Sequence, residues 1–465
     1  MARRAHFLVC LNPFPVPVSE CISDFDSLIS RTSKRSYNTR SKCASYIIHK
    51  PPNPPQTILP KTILQSPYVT TLSPKVMATS RAWTFTARGS PRSVLSLVSL
   101  PAPSLPPASF FLAKAKPVPD ADDGNEWLLV KVAYAALNPG SRIYITMLPA
   151  VARAKTAVPE LDLSGTVADV WGPETGPGSA SGPHGAMTTR NSRFAKGDRI
   201  AAFIPVSYSW PTGTGALAEH VVLPARYAVP VPSHVPLRDA SSVLTAGCTA
   251  AVTLRAAALK KGDRVLVNGA SGGVGSLAVQ MARAAVGPEG YVVGVCSGRN
   301  AEMVRGLGAD EVVDYTSSAS PASKIMRQRF GKEGKQFDAV ADCIGVQDIY
   351  ANCAEYLVPG GVYAAVGIKP ATNSYGGFMK AVWHMQMNAL WPLATWLGGT
   401  GRRWAATTMM DPGKTLIEEV VGMLADGRIK AVFEREVGFE EVVDGYEIVG
   451  SGRARGKVVV KVNGD

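Results

Sequence analysis

At 465 residues, with 46% hydrophobic and 18% charged residues, the chain has the length for two folded domains and a composition that argues against a fibrous or wholly disordered protein. Its net charge of +13 is unevenly spread: residues 1–76 carry ten Lys and Arg against three acids, and the other 389 residues hold only +6 without a basic stripe interleaved with aromatics, which argues against a specific nucleic-acid partner. None of the seven cysteines forms a CxxC pair, so the pattern is that of reduced thiols in an intracellular compartment rather than of a disulfide framework or a structural zinc site.

Residues 1–76 are Pro-rich around Pro51 and Pro55, poor in acids and without sustained periodicity, and are expected to form a disordered or targeting extension. The apolar run after Arg3 and Arg4 is too short for a secretory signal and meets Pro13. The composition is that of a mitochondrial presequence, although long and weakly amphipathic; a start at Met77 would instead leave a cytoplasmic protein. Short β-like runs at 127–134, 163–170, 198–204 and 218–223 predict a small β-rich domain over residues 77–232. Within it, residues 172–193 are a Gly/Ser/Pro stretch read as a flexible surface insertion, whose His184 is not expected to be a ligand.

Residues 233–398 read as a nucleotide-binding unit. Arg264 to Asn268 is a short apolar run suited to a buried parallel strand, and 276–285 follows with helical spacing. Between them, Ala270, Gly272 and Gly275 spell AxGxxG, a variant of the dinucleotide fingerprint; with Gly273 and Val274 they form the expected cradle for a pyrophosphate at a helix N-terminus. The second strand, 291–296, runs into Ser297, Gly298, Arg299 and Asn300 with no carboxylate before Glu302. A hydroxyl and a guanidinium suit a 2′-phosphate, which predicts NADPH over NADH. Further strands are expected at 339–343 and 361–367, giving a parallel sheet. The apolar run 381–397 with Trp383, Trp391 and Trp396 is interrupted by His384, Gln386, Asn388 and Pro392; it reads as a buried helix or pocket wall, with a peripheral membrane contact as the second reading rather than a span.

The order of these features resembles the medium-chain dehydrogenase/reductase superfamily, in its zinc-free, quinone oxidoreductase-like branch with enoyl reductase domains. The motifs that carry the resemblance are Leu137-Asn138-Pro139, Asp162-Leu163-Ser164-Gly165-Thr166-Val167, the FAKGDR block from Phe194, the GALAEHVV block from Gly215, the segment 244–250 and the closing SGRARGKVVVKV. It covers about 77–462 and implies an α/β fold in which a doubly wound parallel Rossmann sheet is inserted into a GroES-like β-rich domain, completed by residues 399–465. It also implies Asn138 and Thr249 near the nicotinamide, Tyr315 near the adenosine phosphate, and Gly345, Gly367 and Ile368 as backbone contacts along the cofactor. The family's NP motif is often followed by an acid and then a Lys, whereas Gly140, Ser141 and Arg142 follow here. The cysteine and GHE ligands of zinc alcohol dehydrogenases are missing, so no metal site is expected.

The function these readings imply is hydride transfer from NADPH to a quinone or α,β-unsaturated carbonyl by a homodimer, with Tyr144 or Tyr208 as candidate proton donors. Alternatives are an enoyl thioester reductase, mitochondrial or acting in trans with a polyketide synthase, and an NADPH-binding regulatory or nucleic-acid-binding protein with vestigial catalysis.

Overall fold

The computed structural model describes residues 79–105, 126–172, 193–367, 369–370, 372, 374–390, 395–397, 399–407, 409 and 411–464. The expected extension over 1–76, most of the 172–193 insertion and Ile368 lie outside the described residues. Fifteen strands are described: β1 (Thr79–Thr84), β2 (Ser96–Pro101), β3 (Trp127–Leu137), β4 (Asp162–Trp171), β5 (Arg199–Phe203), β6 (His220–Pro224), β7 (Ala228–Pro230), β8 (Arg264–Asn268), β9 (Tyr291–Cys296), β10 (Glu311–Asp314), β11 (Phe337–Asp342), β12 (Leu357–Ala365), β13 (Arg403–Ala406), β14 (Phe433–Gly438) and β15 (Lys457–Lys461).

The nucleotide sheet is six-stranded and parallel, in the order β10-β9-β8-β11-β12-β13. Its strands are short and rich in Val, and β8 and β9 are buried almost throughout, as expected of strands covered on both faces. The chain winds outward from β8 in one direction and from β11 in the other, so the carboxyl ends of β8 and β11 flank a topological switch point, where open α/β sheets bind their ligands.

A seven-stranded sheet forms the second layer: β14-β15-β3-β4-β5-β7, with β6 also on β3. The last strand of the chain closes it, β15 pairing antiparallel with β3 from Val458 opposite Leu137 to Lys461 opposite Tyr134. Helix Leu237–Ala257 joins the two sheets; its buried face shares one apolar core with Ala133, Tyr134 and Phe203 of this sheet and with Val265, Val267 and Leu277 of the nucleotide unit.

Two sequence expectations change. The nucleotide unit does not end at residue 398: β13 pairs parallel with β12, and Trp404 is buried against Tyr350 and Tyr363, so the chain returns to the second sheet only with β14. The motif-poor RWAA segment of β13 carries no signal of its own and is a strand because β12 offers it an edge. Nor is the described part of the tryptophan-rich segment a buried helix: helix Tyr375–Leu390 turns Trp383 and Leu390 outward, 61% and 73% exposed, and Trp396 beyond it is 83% exposed, while Trp391 and Pro392 lie outside the described residues. No helix among the described residues is long and apolar enough to cross a membrane. Trp404→Ala should therefore cost about 3–5 kcal/mol in urea unfolding, and Trp383→Ser should stay within about 0.5 kcal/mol of wild type.

Candidate active site

The glycine turn follows β8 as expected. Ala270 is buried and its N–H donates to Val295 of β9 at 3.0 Å, Gly272 caps helix Gly273–Val286, and the N–H groups of Gly273, Val274 and Gly275 fall in its first turn, where no intrahelical acceptor exists. A Cβ on Gly275 would lie 2.0 Å from the Gly269 carbonyl oxygen, so only glycine lets the helix sit this close to the strand.

At the carboxyl ends of β9 and β10 the structure brings Ser297, Arg299 and Tyr315 to one edge. The Tyr315 N–H donates to Cys296, the Asn300 side chain donates to the Ser271 and Ser297 hydroxyls at 3.0 and 3.4 Å, and Arg299 donates to the Arg453 carbonyl at 2.7 Å. One acid here escaped the sequence reading. Asp314 packs so close to Gly298 that a Cβ there would be 2.3 Å from its carboxylate, and the Thr316 hydroxyl holds that carboxyl below its usual range. Gly345 and Gly367 follow β11 and β12 on the same side of the sheet; the Gly345 N–H donates to the buried Asp342, which also accepts from Asn268, Ile344, Val346 and Tyr363.

Asn138 and Thr249 belong to a buried polar network that no sequence window displays. Asn138 lies at the end of β3 and is 7% exposed. Lys457, the first residue of β15, donates to the Asn138 Oδ1 at 2.6 Å and to the Leu137 carbonyl at 3.1 Å. The ammonium fixes which end of the amide is the carbonyl, and the Nδ2 hydrogens are shared among the Ala136 carbonyl, Glu160 and Asp162 at 3.0, 3.1 and 3.1 Å. Lys457 Nζ is 3.8 Å from Asp162 Oδ2, while the Thr245 hydroxyl and N–H both donate to Asp162 Oδ1. Thr249 and Thr253 continue this stripe along helix Leu237–Ala257, each hydroxyl donating to the carbonyl four residues earlier, and Thr253 meets Thr407 at 2.9 Å beside β12.

Glu160 is the second carboxylate. Its Oε1 accepts from the Asn138 N–H at 3.1 Å and the Tyr446 hydroxyl at 2.7 Å, and its Oε2 from the Ser141 hydroxyl at 2.7 Å and Asn138 Nδ2. Burial pushes its carboxyl up to about 7 against the pull of these donors. Burial also raises Asp162, opposed by Lys457, and lowers Lys457, opposed by Asp162. With φ at +69°, Glu160 occupies the left-handed region, a conformation that costs about 1–3 kcal/mol and persists only where the surroundings over-determine it.

The two phenols sit in apolar surroundings. Tyr144 stacks on Trp210 and meets Phe85 edge-on; its hydroxyl has no partner, and burial raises it to about 12. Tyr208 packs near Trp127 and Tyr227, its hydroxyl 3.4 Å from the Val222 carbonyl, also raised to about 12 by burial. Among the described residues no three His, Cys, Asp or Glu side chains converge, and Glu160 and Asp162 are occupied by hydrogen-bond donors and, at Asp162, by an ammonium.

Lys457→Met should lower stability by about 3–5 kcal/mol in urea unfolding, because Asp162 would stay buried without its cation. Gly275→Ala should abolish saturable nucleotide binding measured by fluorescence titration, since its methyl group would displace the helix from the turn.

A family model described as zinc-binding dehydrogenase matches residues 307–460. The medium chain reductase pydE of an Acremonium species is 32% identical over 405 residues, covering 83% of this chain and all of that protein. The trans-enoyl reductase poxH of Penicillium oxalicum is 30% identical over 413 residues, covering 83% and 98%. Among solved structures, the quinone oxidoreductase of Coxiella burnetii superimposes with a TM-score of 0.58 at 21% identity over 83% of this chain and all of that one, a likeness of fold. With the glycine turn, the sheet order and a full-length relative above 30% identity in agreement, the chain belongs to the medium-chain dehydrogenase/reductase superfamily and is an NAD(P)H-dependent reductase.

Proposed function

We propose that this protein uses NADPH to reduce a carbon–carbon double bond conjugated to a carbonyl, and that the substrate is an enoyl thioester presented by a separate synthase. The observation that carries the substrate class is the likeness to a trans-enoyl reductase along 98% of that relative's length. A bound reduced nicotinamide supplies the hydride equivalent. The chain's residues bind and orient it. The first turn of helix Gly273–Val286 takes the pyrophosphate, Ser297, Arg299 and Tyr315 take the 2′-phosphate end, and Thr249 and the Asn138 network border the nicotinamide end. Asp314 beside Gly298 opposes a phosphate there, so the preference for NADPH depends on Arg299 exchanging its Arg453 carbonyl partner for the phosphate. At neutral pH Tyr144 and Tyr208 both retain their protons, because burial holds each at about 12.

Three measurements separate the parts of this reading. Oxidation of NADPH by an enoyl thioester, faster than by a small enone or a quinone, is the expected result; turnover of quinones alone would return the substrate to small free acceptors. Arg299→Ala should raise the KM for NADPH relative to that for NADH by about tenfold, the worth of one charge-assisted contact, and an unchanged ratio would remove the 2′-phosphate role. Proton delivery from Tyr144 predicts a loss of about 10²-fold or more in turnover for Tyr144→Phe.

A further inference from the structure

Glu160 is held in place by backbone bonds that have nothing to do with its carboxylate. The Ala216 N–H donates to its carbonyl at 2.9 Å, the Leu217 N–H to Pro159 at 3.2 Å and the Ile204 N–H to Leu161 at 2.8 Å. These bonds accompany a left-handed turn at Glu160, which glycine would adopt without strain and a glutamate adopts with it. The side chain is 1% exposed, and its two oxygens gather Asn138 at the end of β3, Ser141 in helix Pro139–Met147 and Tyr446 in helix Val442–Gly450. Asn138 in turn holds Lys457, whose Cδ would lie 2.9 Å from a Cβ on Gly273, at the first turn of the nucleotide-binding helix. One chain of contacts therefore leads from the Glu160 carboxylate to the cofactor cradle.

We propose that Glu160 is a positioning residue for cofactor binding: as a carboxylate it orients Asn138, Ser141 and Tyr446, and through Asn138 it keeps Lys457 against the glycine turn. This rests on the reading that the turn holds NADPH. The ionised form is the one the geometry suits, because all four contacts are donated to it and a protonated oxygen would have to give one up. The titratable and charged groups that face it are Asp162 from β4, Lys457 from β15 and Tyr446; Tyr446 is raised well above its usual value by burial and stays a donor, while Asp162 and Lys457 oppose one another. As the pH falls through about 7, Glu160 takes up a proton and the clamp on Asn138 loosens.

The test is NADPH affinity, read by fluorescence titration from pH 5.5 to 8.5 for the wild type, Glu160→Gln, Glu160→Asp and Glu160→Gly, with melting curves to confirm folding. The expected result is a Glu160→Gln variant that binds about tenfold more weakly than wild type at pH 8 and nearly equally at pH 5.5, where wild type is itself protonated. Glu160→Asp, which keeps a carboxylate and tolerates the left-handed turn, should recover most of the loss. Glu160→Gly, relieved of backbone strain but leaving Asn138, Ser141 and Tyr446 without their acceptor, should melt lower yet still fold, and bind weakly at pH 8. A variant-to-wild-type affinity ratio that does not change with pH, or a glycine variant that binds like wild type, overturns the proposal. Wild-type protein that binds neither NADPH nor NADH at any pH would instead fail the cofactor reading, and this one with it.

Discussion

The buried ammonium of Lys457 is the constraint on which the site depends. A lysine that is 6% exposed has lost nearly all its hydration, and it is tolerable only where carbonyl oxygens and a carboxylate replace water; here these are the Leu137 and Asn138 carbonyls and Asp162. Those partners come from the ends of β3 and β4, whereas Lys457 begins β15 near the end of the chain. The register of β15 against β3 sets the distance, since Val458 lies opposite Leu137 and so places the preceding residue beside Asn138. The same segment touches the nucleotide unit: the Gly456 N–H donates to Ser271 of the glycine turn at 2.8 Å, and a Cβ on Gly456, at φ +74°, would lie 2.1 Å from the Val432 carbonyl oxygen. Pairing β15 in the second sheet and packing Gly456 against the glycine turn therefore go together, a contact between segments 319 residues apart that costs loop entropy before it returns any stability.

Helix Leu237–Ala257 connects the two layers from the other side. Its apolar face belongs to the shared core, while Thr245, Thr249 and Thr253 recur at a spacing of four and so form one polar line. That line begins at Asp162 and ends at Thr407, which donates to the Ala365 carbonyl at the end of β12. Thr249 and Thr253 serve both needs at once: each hydroxyl bonds back to the helix while its methyl group stays compatible with the core, and the Thr245 hydroxyl is instead taken up by Asp162. With two carboxylates and one ammonium, the network carries a negative charge when all three are ionised, and burial relieves that by raising Glu160. The cluster thus contains a group that changes charge near neutrality beside the expected cofactor site.

Hydride delivery to a conjugated carbonyl asks the protein chiefly for a held cofactor and a dry, shaped space. The structure's resources are of that kind: a helix N-terminus, a clamp between two sheets and phenols that keep their protons. The outward-facing Trp383 and Leu390 belong to a helix that packs beside β13, the edge strand of the nucleotide sheet, and whose Met385 sulfur would lie 3.9 Å from a Cβ on Gly367.

What the sequence determined by itself is local. Strands β8 and β9, the glycine turn between them and the helix that follows were legible because a period, a tight turn and a close helix–strand contact each leave a signature within about 30 residues. The NP and DxSGxV motifs marked Asn138 and Asp162 but gave no reason for them. Only the tertiary structure supplied it, by bringing Lys457 to Asn138 across 319 residues and Tyr446 to Glu160 across 286. β13 was likewise invisible, because its edge is offered by β12, and Asp314 was missed because pairing of β10 with β9, not sequence proximity, sets it beside Gly298. Periodicity reports which face of an element is covered; which charge covers which depends on topology and register, and these exist only once distant strands have paired.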